Sequence, residues 1–460
     1  MDRHVTRRIL HGLGANAYVQ LVIIIIQLAG VPILLHAWGT QLYGEWLILA
    51  AIPTYLSMTD LGFSQSAGND MTARMARGDV AGALAVFQSL SAMVYGLALA
   101  GLVLVALLMA WLPLGSWLHF AGLSTREVRW ILWLLAAEVL VRLCDGVNHA
   151  GFRSHGDYAR HVALNASTML LQNVAAWAAA LSGAGLVGAA LALVAVRAIE
   201  VPVSAAWLLR RHHDVRLGLA HASARELRRL AKPALANLSM PLAMALSIQG
   251  MVLVVGAVLG PLAVVVFSTL RTLTRIALQM VWRVANSFEP ELAAAWGSGD
   301  RVLLRRLYLN AQRGGFWLAL LAALVLWWAG PWFLGLWTHG RVIMNPLLFT
   351  WLLVSAVASM LWYGALNLLK AGNVHLRAAV VYVFAAAAAV MLAFVLLLTS
   401  HRLADAGLAL MLADAVMAAY LSRRASRVLA MAMPAMLAAM VDPRPLKQGF
   451  DRMLQHVMAH

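Results

Sequence analysis

Stretches of about twenty apolar residues recur along the whole chain, and no other feature limits the fold so tightly. They fall at 15–37, 42–62, 83–112, 128–149, 161–181, 184–209, 235–258, 262–285, 313–336, 346–369, 376–399 and 403–422. A helix rises 1.5 Å per residue, so about twenty residues cross a hydrocarbon core of about 30 Å. The pattern predicts an all-α polytopic membrane protein with about 12 transmembrane helices. Composition agrees. Of the 460 residues, 62% are hydrophobic and 12% are charged, where a soluble domain carries roughly 25% charged residues. The apolar run Ala15–Leu35 is longer than a signal-peptide core and follows Arg3, Arg7 and Arg8, so it reads as a retained first helix. The segment Val428–Val441 is too short to span and contains Pro434, which predicts an interfacial helix.

The net charge of +16 raises the question of nucleic acid, and its placement answers it. With both termini inside, 26 of the 35 Lys and Arg fall on inner segments, 4 on outer loops and 5 within helices. The outer ones are Arg126, Arg129, Arg341 and Arg402. That asymmetry follows the positive-inside rule and predicts two cytoplasmic termini. Anionic membrane lipids account for the basic surface without nucleic acid. The lone Cys144 excludes an internal disulfide and any multi-cysteine metal site.

The richest basic loop carries Arg210, Arg211, Arg216, Arg225, Arg228, Arg229 and Lys232 and divides the helices six and six. The expected organisation is an N-terminal lobe over 1–209, a basic linker over 210–234, a C-terminal lobe over 235–422, and a basic tail over 423–460. A faint internal repeat supports it. Asn16 and Asn237 are 221 positions apart, as are Gly39 and Gly260, and Gly78-Asp79 and Gly299-Asp300. The same order in the same orientation predicts two six-helix lobes related by a pseudo-two-fold along the membrane normal.

The stretch Gly39-Thr40-Gln41-Leu42-Tyr43-Gly44-Glu45-Trp46, then Tyr55-Leu56-Ser57-Met58-Thr59-Asp60-Leu61-Gly62 and Ala67-Gly68-Asn69, resembles the first helical hairpin of Wzx-type polysaccharide and O-antigen flippases. In the second half, Ser287-Phe288-Glu289-Pro290-Glu291 and Gly299-Asp300 are similar to the corresponding loop. These flippases belong to the multidrug/oligosaccharidyl-lipid/polysaccharide exporter superfamily. Residue-level similarity is confined to about residues 10–90, while helix number and lobe division fit the whole chain. The resemblance implies an inner-membrane protein of lipopolysaccharide or exopolysaccharide biosynthesis. Such a protein moves undecaprenyl-diphosphate-linked glycan from the cytoplasmic to the periplasmic leaflet by alternating access, beside polysaccharide polymerase and export machinery.

Charges inside the spans carry the residue-level case, because each costs roughly 2.5–3.5 kcal/mol at a helix centre. Arg271, Arg275, Gln279 and Arg283 are four apart on one stripe of helix eight. Two guanidiniums one turn apart suit a diphosphate, since each can donate a bidentate pair. The alternative is that acids on neighbouring helices neutralise them. Arg283, nearer the inner interface, is expected to snorkel to headgroups. Helix four carries Glu138, Arg142, Asp145 and His149 on one face. Arg142 is a candidate third diphosphate contact and Glu138 a candidate for ion coupling, against a simple Glu138–Arg142 helix pair. Asp414 is the second ion-coupling candidate. Arg197 and Glu200 read as a structural pair, and Asp60 as a holder of the inner loop. Ser355, Ser359, Tyr363 and Asn367 form a polar stripe on helix ten; Gln279, Tyr363 and Asn367 are the candidate cavity-lining residues. Trp38, Trp111, Trp117, Trp332 and Trp337 fall at outer helix ends, where an aromatic belt is expected.

Several chemistries have no sequence counterpart. There is no Walker A loop, no His-Glu-x-x-His, and no Gly-x-Ser-x-Gly. His212–His213 lies in the basic loop without a nearby cluster of acids. The expectation is a non-enzyme with no catalytic residues, no metal and no cofactor. Two rivals stay open: a drug or metabolite:cation antiporter of the same superfamily, and a membrane-embedded polysaccharide polymerase. The latter is disfavoured by the short outer loops.

Overall fold

The computed structural model describes residues 3–60, 62–112, 120–286 and 288–444, which hold helices and turns and no strand. The helices are α1 (Arg3–Thr54), α2 (Phe63–Ala76), α3 (Val80–Trp111), α4 (Thr125–Ser154), α5 (Tyr158–Leu181), α6 (Gly185–Arg211) and α7 (Ala224–Ala245). They continue as α8 (Met251–Leu259), α9 (Pro261–Asn286), α10 (Glu289–Gly297), α11 (Arg301–Trp337), α12 (Pro346–Ala371), α13 (Leu376–Ser400), α14 (Ala404–Val428) and α15 (Met433–Val441). A π-helical turn, Leu246–Gly250, joins α7 to α8.

Eight helical stretches are long and apolar enough to cross a membrane by length and composition. The first of these runs through a sharp turn at Gly39 and holds two spans. Helices α4, α5 and α9 have the length but carry polar residues, Glu138, Arg142 and Asp145 on α4 and Arg271 and Arg275 on α9. Together these give about twelve crossings among the described residues, the number that the apolar periodicity predicts.

The chain divides into two compact units, Met1–Ala245 and Leu246–His460. In the first, α4 packs against α2, α3 and α6, and α5 against α1 and α6. Its core gathers Met71, Phe87, Leu90, Val94, Leu140, Val147, Phe152 and Leu208. The basic loop docks on this unit. Gln88 donates to the Arg216 carbonyl at 3.1 Å and accepts from the His221 amide at 2.8 Å. Arg74 donates to Glu226 at 2.9 Å, and Arg229 to Asp70 at 2.8 Å, so α2 and α7 are clamped by crossed ion pairs.

In the second unit α12 packs along α14, α13 along α14, and α9 along α11 and α12. The short α15 lies against the start of α11, with Met436 and Met440 buried. Its last carbonyls, which have no partner within the helix, are capped from α11. Arg313 donates to the Ala439 carbonyl at 2.7 Å, and the Trp317 indole to the Val441 carbonyl at 3.1 Å.

The repeat seen in the sequence has a backbone counterpart. Gly39 (φ 69°, ψ −179°) and Gly260 (φ 83°, ψ 179°) adopt the same conformation between consecutive helices. That region is essentially reserved for glycine. Gly78 and Gly299 both have positive φ, and the residues after them, Asp79 and Asp300, both cap the next helix through their carboxylates. Each of these turns thus uses the same local device 221 positions on. No atom within 4 Å blocks a Cβ at Gly260, so its substitution tests the backbone alone. Gly260→Ala should cost about 1–3 kcal/mol. Gly335→Ala, in open space inside α11, should be neutral or stabilising. Paired thermal denaturation in detergent reads both signs.

Candidate functional site

Each unit contains a cluster of polar side chains among its apolar helices. In the first unit, Arg197 on α6 is fully buried at 2% exposure. It donates to Glu200 at 3.1 Å and to the Gln172 side-chain carbonyl on α5 at 2.9 Å, and lies 3.7 Å from Glu138 on α4. Gln172 in turn donates to Glu138 at 3.1 Å. Two turns along α4 from Glu138, Asp145 contacts His161 at 3.1 Å and accepts from Asn165 at 2.8 Å, both on α5. His149 sits 3.2 Å from His161. Asp145, His161 and Glu200 hold their donor atoms within 4.8 Å of one another. The buried arginine is neutralised by the protein itself, with two carboxylates and a glutamine around it, although its Nε and Glu200 Oε1 make no hydrogen bond among the described residues; these contacts tie α4, α5 and α6 together.

The α4 face does not act as one. Glu138 and Asp145 turn into this network, whereas Arg142 is exposed. Glu138 pairs with Arg197 rather than with Arg142. Arg142 belongs to the first unit, while Arg271 and Arg275 belong to the second.

In the second unit, Arg271 on α9 donates to the Ser247 carbonyl at 2.8 Å and to the Ser247 hydroxyl at 3.3 Å. Ser247 lies in the π-helical turn, a distortion that interrupts the regular ladder and leaves main-chain groups for outside partners. The guanidinium also stands 5.7 Å over the Phe267 ring. Arg275, one turn on, is partly exposed and has no hydrogen bond or ion pair among the described residues. Tyr382 on α13 approaches both arginines and bonds Ser247. Asp414 on α14 lies within charge range of Arg271 but is held by neutral donors, the Ser355 hydroxyl and the Trp362 indole at 3.0 Å. The result is a patch with two cations, one carboxylate and an aromatic flank, Trp362 and Tyr382 having ring centroids 4.8 Å apart.

The other sequence candidates are placed as follows. Gln279 lies on the same helix as the arginines, partly buried. Tyr363 stacks on Trp282 at 5.3 Å and carries Lys370 5.6 Å above its ring. Asn367 is buried, and Ser359 bonds its own helix at the Ala356 carbonyl. Asp60 accepts from the Gly62 amide at 2.9 Å and so holds the turn into α2. Trp111 and Trp332 are exposed, but Trp38 and Trp337 are buried, so the aromatic belt keeps only part of the set. The Arg283 side chain, Trp117 and Ser287 lie outside the described residues. What sequence reading missed is Ser247, Tyr382 and Trp362 as the shell around Arg271 and Asp414. It also missed the acids Asp157 and Asp214 beside His212.

Removing the hub of the first cluster leaves its acids stranded. Arg197→Ala should destabilise the first unit by about 3–5 kcal/mol, seen as lost monodisperse protein after extraction. The Gln172→Glu change should do less harm, because it keeps an acceptor for Arg197.

No family profile matches the chain, and no curated protein matches it in sequence. Solved structures do match it in fold. An inward-facing multidrug resistance MATE family transporter of the MOP superfamily aligns with TM-score 0.70 and 17% identity, over 89% of this chain and 94% of that one. An outward-facing MATE family transporter aligns with TM-score 0.58 and 18% identity, over 92% and 94%. A MOP superfamily transporter from Pyrococcus furiosus, described as having a binding pocket of reverse polarity that suggests a different function, aligns with TM-score 0.55 and 18% identity, over 92% and 95%. At these identities the likeness is one of fold. The chain is an all-helical, multi-pass membrane protein with the MATE-like fold.

Proposed function

We propose that this protein is a transporter that carries a polyprenyl-diphosphate-linked oligosaccharide across the inner membrane by alternating access. The observation that carries the reading is the arginine pair of α9. Arg271 is anchored by uncharged groups of Ser247, and Arg275 has no carboxylate partner among the described residues. Two cations inside a membrane helix, not consumed by ion pairs, favour an anionic ligand. A diphosphate offers each guanidinium a bidentate acceptor. Residues Arg271 and Arg275 would hold the diphosphate. Tyr363 and Gln279 would line the path of the sugars, and the polyprenyl tail would remain in lipid. Arg142, exposed on the first unit, would meet the headgroup at an earlier stage. The Pyrococcus furiosus MOP superfamily transporter, whose binding pocket of reverse polarity suggests a different function, offers a parallel for a MATE-like fold with altered pocket charge.

Energy coupling falls to the carboxylates. Asp414, bonded to Ser355 and Trp362 near Arg271, would exchange a proton or cation as the ligand leaves. Glu138 does the same in the first unit, through its link to Arg197. These same acids support the second reading, a drug or metabolite:cation antiporter. Cationic drugs want an acidic cavity, and the arginines of α9, which have no carboxylate within ion-pair distance among the described residues, weigh against it.

Arg271→Ala or Arg275→Ala should abolish glycan export with normal membrane insertion, while Arg275→Lys should retain a small fraction, because an ammonium lacks the bidentate fork. The check is lipid extraction from a deletion strain carrying each variant. Accumulated polyprenyl-diphosphate glycan is the expected result. Drug hypersensitivity with no lipid-linked glycan would instead establish the antiporter.

A further inference from the structure

Outside the membrane-spanning stretches, where α4 ends and the basic loop begins, two imidazoles and a carboxylate converge. His155, His212 and Asp214 each offer a donor atom within 4.8 Å of the other two. The two imidazole rings lie 4.3 Å apart between centroids. All three residues are partly buried, so water-borne ions can reach them.

The hydrogen bonds around the rings decide which atoms can bind. His155 places Nδ1 2.9 Å from the Gly151 carbonyl and 3.0 Å from the Ser154 hydroxyl oxygen. The Ser154 hydroxyl already donates to that carbonyl at 2.8 Å. A carbonyl only accepts, so Nδ1 bears the proton. Nε2 of His155 nevertheless faces Asp214 Oδ2 at 2.7 Å, and a carboxylate also only accepts. A lone pair set against a carboxylate needs a cation between them, either a second proton or a metal. His212 has the complementary support. Its Nε2 sits 3.1 Å from Asp157 Oδ2, which fixes that proton and leaves Nδ1 with the lone pair. Imidazoles oriented by a main-chain carbonyl and by a carboxylate are the usual outer supports of metal-binding histidines. Asp157 is not itself free to ligate, since Arg160 and Arg211 both pair with it at 2.8 and 2.6 Å.

We infer that this end of the first unit binds one divalent transition metal of the zinc class, through His155, His212 and Asp214. Two nitrogens and one oxygen suit such an ion, with water completing the tetrahedron. Bonds near 2.0–2.1 Å in that geometry separate nitrogen from oxygen by about 3.3 Å. Asp214, in the loop after α6, would therefore withdraw by about half an ångström as metal replaces the proton. Bound metal would staple the end of α4 to the basic loop. This inference does not depend on the transported ligand.

The test uses tag-free, full-length protein in detergent, stripped with EDTA and titrated with Co²⁺ by visible absorption and with Zn²⁺ against a chromogenic chelator. One equivalent should bind with the d–d bands of a tetrahedral site. His155→Ala and Asp214→Asn should each lose at least 10-fold in affinity, and Asp157→Asn, which removes only an outer support, about 10–100-fold. Asp214→Asn lies in a loop, and its unchanged melting profile without metal shows that loss of binding is not loss of fold. Binding that persists in the His155→Ala Asp214→Asn double variant overturns the site. So does absence of any Co²⁺ bands in the wild type, which would leave the cluster a proton-mediated ion pair only.

Discussion

Placing Arg197 where 2% of its surface meets anything outside the protein removes a guanidinium from water, at an effective penalty of several kcal/mol per ion. Nothing in a bilayer compensates for it. The protein must, and the arrangement of α4, α5 and α6 follows from that need. Glu138 comes from one helix, Gln172 from the second and Glu200 from the arginine's own helix, so the cation keeps its full set of partners only when all three helices are in register. Among lipid-embedded helices the hydrophobic effect gives little reason to choose one packing over another. A buried charge does give that reason, because a slipped register strips it of Glu138 and Gln172.

Arg271 meets the same cost by another route. It is bonded by a main-chain carbonyl and a hydroxyl of the π-helical turn and faces an aromatic ring, which stabilise a cation without cancelling its charge. Asp414, close enough to feel it, is occupied by Ser355 and Trp362. A fold that only needed stability would have closed the Arg271–Asp414 pair directly. Both charges are instead solvated by dipoles, an arrangement that suits the proposed role of Asp414 in ion coupling.

Much of this was legible in the sequence, and the parts that were not share a cause. Helical spans, the Gly39 and Gly260 turns and the Asp60 turn into α2 are set by local chemistry: apolar length, a conformation open to glycine, and a side chain reaching two residues on. The Arg271–Arg275 stripe is likewise local, a matter of 3.6 residues per turn. Partners far apart in sequence were invisible. Ser247 is 24 positions from Arg271, and Asp214 is 59 from His155. The basic loop reads as solvated charge, yet Arg74, Arg229, Asp70 and Glu226 bind it to α2. Spacing on one helix also misled. The α4 stripe is a true face, but Arg142 sits at its edge and escapes, while Asp145 is drawn inward by His161 and Asn165.

The two units therefore separate what is repeated from what is not. Their turns match in detail: the same glycine conformation at 39 and 260, and the same aspartate cap at 79 and 300. Their polar interiors do not match. One holds a set in which arginine, glutamates, aspartate and histidine form ion pairs with one another. The other holds Arg271 bonded by neutral groups of Ser247 and Arg275 one turn on. Backbone turns are fixed by sterics that every copy must obey, so they persist through divergence. Interior charges are costly wherever they stand and survive only where something repays them. In the first unit that is the mutual fit of three helices. In the second, Arg271 rests on a main-chain carbonyl and a hydroxyl, and the proposed anionic ligand would supply the opposite charge.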